Sequence, residues 1–428
     1  MRPTAPMRAA YALFGIAITP ALHGWLNRRA RRGKEDPARK AERFGHASAP
    51  RPAGKLVWLH AASVGEVQSA LTLVRTLLAA HPDIHLLITT GTVTSAALVA
   101  QQNLARVIHQ FVPVDTYPAV RRFLNHWQPD LALWVESEFW PGLLWQAQAQ
   151  HVPMVLVNAR ISEKTFRGWQ KWPATIRSLL HSFCSIYAGS SDDAKRLSAL
   201  GGSNISEVGN LKYDALPLPL NPALSAELQA SCHNRVVFLA ASTHANEEQM
   251  LAQTHTHIAQ QFPHLLTIIV PRHASRGDAI AADLRSKNVA LAQRSKNEPI
   301  TAKTAIYLAD TMGELGNFYE RADLVFMGGS LIAHGGQNPL EAARFSNAIL
   351  TGPHTHNFAS IVARFVAADA LAVVADTQAL AEQAIALLGN PAARQTMAEH
   401  AAKIVEQSRG ASATIAQHCN EILARSGA

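Results

Sequence analysis

The chain is poor in cysteine and short of acidic charge, and it lacks most of the sequence marks of familiar catalytic sites. Its three cysteines, Cys184, Cys232 and Cys419, are widely spaced, odd in number and form no CxxC pair. That excludes a disulfide framework or a zinc cluster and suits a reducing cytoplasm. No Walker A sequence, HExxH or GxSxG is present, so nothing marks a P-loop nucleotidase, a zinc peptidase or a serine hydrolase. The DxD pair that many metal-dependent sugar transferases use is also missing; Asp192-Asp193 are adjacent and would point apart on a helix. Short repeats and low-complexity tracts are absent. Charged residues make up only 16% against 48% hydrophobic, which excludes a disordered protein. At 428 residues the chain is long enough for two domains.

Acidic residues number 31 against 39 basic ones, a formal net charge of +8. That balance favours anionic partners such as phospholipid, nucleic acid or phosphorylated substrates. The basic residues cluster near the N-terminus, at Arg28, Arg29, Arg31, Arg32 and Lys34, with no aromatic–glycine nucleic-acid signature. Just before them, Ala9–Leu22 carries no charge. A spanning helix needs about 20 apolar residues, so this run is short, and Pro20 is expected to kink it. No small-residue cleavage site follows. The expectation is a membrane-anchoring helix whose basic flank stays in the cytoplasm; the alternatives are a helix packed on the globular body or lying in the interface.

Beyond residue 55, strand-sized apolar runs alternate with amphipathic stretches. The runs are Leu56–Leu59, Ile84–Ile88, Leu131–Val135, Met154–Val157 and Ile186–Ala188, then Val236–Ala240, Leu265–Val270, Ala305–Leu308, Leu324–Met327 and Ala348–Leu350. Between them, Ala70, Leu73, Val74, Leu77 and Leu78 follow helical spacing. Such alternation predicts α/β units with mostly parallel sheets. Pro217, Pro219 and Pro222 interrupt it and mark a linker. The expected organisation is an anchor and basic flank over 1–40, a first domain over 41–212, a linker over 213–222, a second domain over 223–390 and C-terminal helices over 391–428. In such sheets ligands sit beyond the carboxyl ends of the strands.

The loops after the strands therefore carry the candidate chemistry. Glu66, in Ser63-Val64-Gly65-Glu66, opens a helix, where the dipole favours an ionised carboxylate. It reads either as a general base or as an ordinary first-turn glutamate. Glu136 and Glu138 follow a buried strand, lining a cleft or forming a salt-bridged strand end. Ser242 and Thr243 precede a helix and could cap it. Arg272 and His273 end another strand, where an arginine suits phosphate or carboxylate or a structural ion pair. Thr311-Met312-Gly313-Glu314-Leu315 opens a helix. Gly328-Gly329-Ser330 and Gly335-Gly336 could bring backbone amides to a phosphate. Asn338, Pro339 and Glu341 equally read as a capping box needing no ligand.

Taken together these motifs resemble the Kdo transferases of lipopolysaccharide assembly. The resemblance rests on Glu42-Arg43-Phe44-Gly45, Ser63-Val64-Gly65-Glu66, Glu136-Ser137-Glu138-Phe139-Trp140-Pro141, Asn158-Ala159-Arg160 and Gly209-Asn210-Leu211-Lys212. Pro271-Arg272-His273, Asp310-Thr311-Met312-Gly313-Glu314-Leu315, Gly328-Gly329-Ser330, Asn338-Pro339-Leu340-Glu341 and Gly352-Pro353-His354-Thr355 complete it, in family order. One departure is Gln337, where relatives usually have His before Asn-Pro-Leu-Glu.

The resemblance implies a GT-B fold of two Rossmann-like doubly wound domains facing a cleft, the first for acceptor and the second for nucleotide sugar, with an N-terminal membrane-anchoring helix. It implies transfer of Kdo from CMP-Kdo to lipid IVA at the cytoplasmic side of the inner membrane, on an anionic lipid surface, with no metal, no cofactor and no nucleic acid. Another GT-B transferase or epimerase of the cell envelope is the alternative. Glu66 matches the family's proposed base and Glu136 a second essential acidic position. Arg272, His273, Met312, Gly313, Glu314, Leu315, Asn338 and Glu341 fall on the donor side. Ser63, Gly65, Lys212, Ser242 and His244 are further candidates.

Overall fold

A computed structural model of the chain describes residues 5–425, with side chains from Tyr11 onward. Residues 1–4 of the expected anchor region and 426–428 of the expected C-terminal helices lie outside the described residues. The chain forms two compact units: one runs up to Ala215 and regains the chain from Ser408, and the other spans Leu216–Gln407.

The first unit is built on seven strands, β1 (Leu56–His60), β2 (His85–Thr90), β3 (Val107–Phe111), β4 (Leu131–Val135), β5 (Met154–Ala159), β6 (Ser185–Ala188) and β7 (Ile205–Glu207). They pair in parallel in the order β3-β2-β1-β4-β5-β6-β7. Parallel strands covered on both faces bury every side chain, and β1 and β4 do so along their whole length. Alternate residues feed two cores. Leu56, Trp58, Ala132 and Trp134 enter one; Val57, Leu59, Leu131, Leu133 and Val135 enter the other. Trp58, Trp127 and Trp134 are fully buried, with Trp58 and Trp134 edge-on at 5.2 Å. Each fully buried large apolar side chain contributes about 1.5–3 kcal/mol.

The second unit repeats the plan with β8 (Val236–Thr243), β9 (Leu265–Pro271), β10 (Leu291–Gln293), β11 (Ile306–Leu308), β12 (Leu324–Met327), β13 (Ile349–Thr351) and β14 (Ala372–Val373). Their order is β10-β11-β9-β8-β12-β13-β14, again all parallel. In each unit the order reverses beside the first strand, between β1 and β4 and between β8 and β12. Loops leaving neighbouring strand ends diverge there and open a crevice for ligands.

The C-terminal helices do not act as one block. The helix Pro391–Gln407 belongs to the second unit, while Ala411–Arg425 returns to the first and buries Ile415, Ala416, Cys419 and Leu423 in its core. Asp214 ties this return down, accepting the amides of Gly410, at 2.7 Å, and of Ser412. The chain passes between units after Ala215, within the stretch expected as a linker; the ends of that stretch are built into a 3-10 turn (Leu211–Asp214) and a helix starting at Pro222.

The N-terminal run forms one helix, Ala5–Arg31, continuous through Pro20. Among the described residues no helix is long and apolar enough to cross a membrane. One face packs on the first unit. The Tyr11 hydroxyl donates to Asp115 at 2.6 Å, His23 stacks on Phe44 at 3.7 Å, and Leu26 is fully buried with Phe44, Val114 and Ala119. The other face leaves Leu13, Phe14, Ile16 and Trp25 exposed, Leu13 by 68%.

Candidate active site

The β1 end turns into the helix Val64–Ala80 through a capping arrangement. Ser63 is the N-cap, and its Oγ accepts the Glu66 amide at 3.3 Å while donating to Glu66 Oε1 at 2.8 Å. The Ala62 amide donates to Glu66 Oε2 at 2.7 Å. The ordinary first-turn role is therefore filled, but Glu66 is only 6% exposed, and the site has a second property. Burial pushes its carboxyl up to about 7, against the lowering hydrogen bonds from Ser63 and Ala62, with Glu136 and Glu138 adding to the rise. A carboxylate that titrates near neutrality matches the requirement for a general base. Beside it, a Cβ on Gly65 would meet no atom nearer than 4.0 Å, so packing does not demand glycine there and the space stays open. His60, at the end of β1, is fully buried; burial holds its imidazole down at about 3, and Thr89 bonds its Nδ1 at 3.0 Å.

Glu136 leaves the end of β4, across the crevice from β1, with φ at +59°. A non-glycine residue held there costs about 1–3 kcal/mol and needs surrounding structure to enforce it. The Glu136 amide donates to Val157 O at 3.0 Å, and Trp140 Nε1 donates to Glu138 Oε2 at 3.0 Å. Among the described residues neither glutamate has a cation at ion-pair distance. Lys212 shares this neighbourhood: burial lowers its ammonium, Glu136 and Glu66 oppose that, and Arg160 reinforces it. Asn158 anchors the backbone just before Lys212, whose own amide donates to Asn210 Oδ1 at 3.0 Å. Asn158 sits at φ +52° on an irregularity of β5, and its Oδ1 accepts the Leu211 amide at 3.1 Å. The first unit thus gathers Glu66, Glu136, Glu138, Arg160 and Lys212 at one strand-end edge.

In the second unit the loops are organised differently from the sequence expectation. Ser242 and Thr243 do not cap the following helix, which begins at Glu247 after Asn246. Ser242 is a bulge residue at φ +57°, and Thr243 donates to Glu248, which Arg276 grips at 2.8 and 3.0 Å. The glycine-rich loop after β12 does not hold its amides open for a phosphate. Gly329, Ser330 and Leu331 donate to the buried Glu247 carboxylate at 2.6, 3.0 and 3.1 Å, and the His244 amide adds a fourth bond at 2.9 Å. An internal carboxylate occupies the nest that an anion would otherwise take.

His244 stacks on His334 at 3.7 Å, with His273 at 6.1 Å. Nothing in the sequence marks His334; only the fold brings it here. Burial and the surrounding His334, His273 and Arg272 hold the His244 imidazole down at about 4. Gln337 Nε2 lies 2.9 Å from His244 Nε2. An amide N–H donates, so His244 accepts at Nε2 and carries its proton on Nδ1. The glutamine thus supplies a donor that does not titrate.

Arg272 is exposed beyond β9 with no carboxylate at ion-pair distance among the described residues, so it is not a structural salt bridge. Its charge reaches Glu341, whose carboxyl burial pushes up while Arg344, Asn338 and Arg272 pull it down. Asn338 caps the short helix Pro339–Ala343, its Oδ1 accepting the Leu340 amide at 3.3 Å, which fills the N-cap position of the expected box. Met312 is 73% exposed beside Gly313, whose φ of +85° calls for glycine. Glu314, before the helix that Leu315 opens, is less available. Arg294 grips it at 3.0 and 3.2 Å and Thr311 donates to it; against its burial, these bonds hold its carboxyl below the ordinary range.

Two other motifs serve the fold. Glu42 accepts the Phe111 amide at 2.7 Å and two bonds from Arg39, clamping β3. Asp193 turns inward to the Ile161 amide at 2.8 Å while Asp192 stays exposed, so that pair holds no common ligand. Among the described residues no three His, Cys, Asp or Glu side chains are grouped to hold a metal ion.

The family described as 3-deoxy-D-manno-octulosonic-acid transferase (kdotransferase) matches residues 38–215, ending where the first unit hands over to the second. The 3-deoxy-D-manno-octulosonic acid transferase of Haemophilus influenzae is 33% identical over 395 residues, 91% of each chain. That of Rickettsia felis is 37% identical over 301 residues, 70% of this chain, and the match spans only 64% of that protein's length. Among solved structures, the Staphylococcus aureus MnaA–UDP complex superposes with a TM-score of 0.57 at 14% identity, covering 86% of this chain and 97% of that one. That likeness shows the two-unit fold and nothing finer. Sequence identity of 33% over 91% of the chain, on two parallel α/β units, places this chain in the 3-deoxy-D-manno-octulosonic acid (Kdo) transferase family of glycosyltransferases.

Proposed function

We propose that the chain transfers Kdo from CMP-Kdo to the lipid A precursor lipid IVA in lipopolysaccharide core biosynthesis. The reaction runs at the cytoplasmic face of the inner membrane, with the N-terminal helix as membrane contact. The observation that carries this reading is Glu66: a buried carboxylate at a helix N-terminus and a strand-order reversal, titrating near 7.

Glu66 takes the proton of the acceptor hydroxyl as that oxygen attacks the anomeric carbon. One base and in-line displacement invert the configuration there. CMP leaves, and negative charge grows on its phosphate while the sugar becomes oxocarbenium-like. Positioned donors stabilise such charge best when they need no reorganisation. Arg272, with no internal partner among the described residues, suits the phosphate or the sugar carboxylate. His244, neutral with its proton on Nδ1, is a further donor. A monophosphate leaving group needs less neutralisation than a diphosphate, which agrees with the missing DxD. Glu136 and Lys212 adjust the charge around Glu66.

Mass spectrometry of the purified protein incubated with lipid IVA and CMP-Kdo tests the reading. The expected product is lipid IVA heavier by Kdo. Turnover of UDP-sugars instead of CMP-Kdo would assign the chain a different cell-envelope reaction.

A further inference from the structure

Glu247 and Glu248 are both buried at the start of the helix Glu247–Ala259, yet they are satisfied in different ways. Arg276 and Thr243 bind Glu248, as in an ordinary structural ion pair. Glu247 is fully enclosed and has no cation at ion-pair distance among the described residues. Backbone amides alone meet its charge, two on each oxygen. Gly329 at 2.6 Å and His244 at 2.9 Å donate to Oε2, and Ser330 at 3.0 Å and Leu331 at 3.1 Å donate to Oε1. One carboxylate therefore fastens the loop after β8 to the loop after β12, at the strand-order reversal of the second unit. Hydrogen bonds to an ionised group are about twice as strong as neutral ones, so the link is a stiff one.

The link supports a set of side chains. A Cβ built on Gly329 would meet His244 Cδ2 at 3.1 Å, Gln337 Nε2 at 3.3 Å and His334 Cδ2 at 3.4 Å. The two stacked rings, and the glutamine amide that bonds one of them, rest on the Gly329 backbone that Glu247 holds. Gly329 O accepts the Gly336 amide at 2.8 Å, which seats the turn carrying His334 and Gln337. Ser330 passes the hold to the loop after β13: its Oγ accepts the Gly352 amide at 2.7 Å and its carbonyl the His354 amide at 3.0 Å. With both oxygens spent on backbone, Glu247 has no lone pair left for a ligand.

We propose that Glu247 is a positioning residue for the donor, setting the His244–His334 stack and the Gln337 amide through the backbone of the two loops that carry them. The inference rests on the reading above that the second unit takes CMP-Kdo.

The test compares Glu247→Gln with Glu248→Gln in the full chain. A glutamine at 247 turns an N–H toward two of the four amides and leaves them without an acceptor. Unpaired amides beneath the stack should raise the KM for CMP-Kdo and the Kd for CMP about tenfold, with the acceptor KM unchanged. Glu248→Gln weakens the Arg276 pair on the same helical turn, so it should lower the melting temperature and leave the donor KM alone. In histidine-labelled protein, the ring-current shifts of the stacked imidazoles should be lost in Glu247→Gln and kept in Glu248→Gln. Gly329→Ala pushes on the stack without altering the carboxylate and should weaken donor binding in the same way. It decides the matter where Glu247→Gln melts below the assay temperature. Parental donor KM in folded Glu247→Gln or Gly329→Ala overturns the inference and leaves the donor reading standing. An equal rise in donor KM in Glu248→Gln, or an equal rise in acceptor KM, assigns Glu247 to the fold and overturns it as well. A parent protein that neither binds CMP nor uses CMP-Kdo removes the donor reading and the inference with it.

Discussion

Ser63 and Glu66 hold each other: the hydroxyl donates to Glu66 Oε1 at 2.8 Å and accepts the Glu66 amide at 3.3 Å. The contact that starts the helix also restrains the candidate base. Burial drives the Glu66 carboxyl upward and this bond drives it downward, so its titration near 7 is a compromise between fold and chemistry.

Removing the bond should move the compromise. Ser63→Ala loses a hydrogen bond that lowers the Glu66 pKa, so the acid limb of kcat/KM should shift to higher pH than in the parent. The lost N-cap should cost about 0.5–2 kcal/mol of stability. A pH–rate profile with an unmoved acid limb would detach Glu66 from the titration.

Glu66→Gln keeps size and hydrogen bonding but cannot take a proton. Turnover should fall by about 10²–10⁴ with donor binding intact. The stability signature has a definite sign. The folded-state pKa of about 7 exceeds the ordinary glutamate value of 4.5, so the native state binds more protons between these values, and stability falls as pH rises through that window. Parent stability relative to Glu66→Gln should therefore decline from about pH 4.5 to pH 7 and level off above. Thermal melts across that range check it; near-normal turnover in the folded variant would make Glu136 the next candidate.

Arg272→Ala should weaken use of CMP-Kdo without lowering the melting temperature, because Arg272 has no ion pair among the described residues. A lost charge-assisted bond is worth about 1.5–3 kcal/mol, equivalent to a rise in donor KM of roughly 10- to 150-fold. Steady-state kinetics with varied donor would show it; an unchanged donor KM assigns Arg272 to structure.

Activity should survive EDTA, since the sequence has neither a metal-ligand motif nor a DxD pair. The assay compares rates before and after chelation. Loss that only Mg²⁺ or Mn²⁺ restores sinks the metal-free mechanism.

Deleting the chain through Leu26 is a poor test of membrane contact, because it removes the Tyr11–Asp115 bond and the fully buried Leu26. That deletion should lower the melting temperature. Polar substitution of Leu13, Phe14, Ile16 and Trp25, all exposed, should release the protein from vesicles of anionic lipid with little change in melting. Retention on the vesicles would place the contact elsewhere.

Several features were legible because their bonds close within a few residues or repeat along an element. The Asn338 cap closes on the Leu340 amide two residues on. The core strands read as apolar runs because both faces are covered. The four strands that carry no such run, β3, β7, β10 and β14, are the four sheet edges, where half-open burial leaves a mixed pattern. Family membership was legible too, since many short motifs stand in order along the whole chain.

What the sequence by itself determined, then, is the alternation of strands and helices, the two-unit division in outline, and the residue types waiting at the strand ends. The tertiary structure alone decided which of those residues are available. The amides of Gly329, Ser330 and Leu331 go to Glu247 across 82–84 residues. Glu314 is taken by Arg294 across 20, and His334 meets His244 across the second unit. The last helix returns to the first unit through Asp214, 196 residues from Gly410. The titration of Glu66 near 7 belongs to the same class. Burial and the charges of Glu136 and Glu138 are properties of space around a group, and local sequence does not encode them.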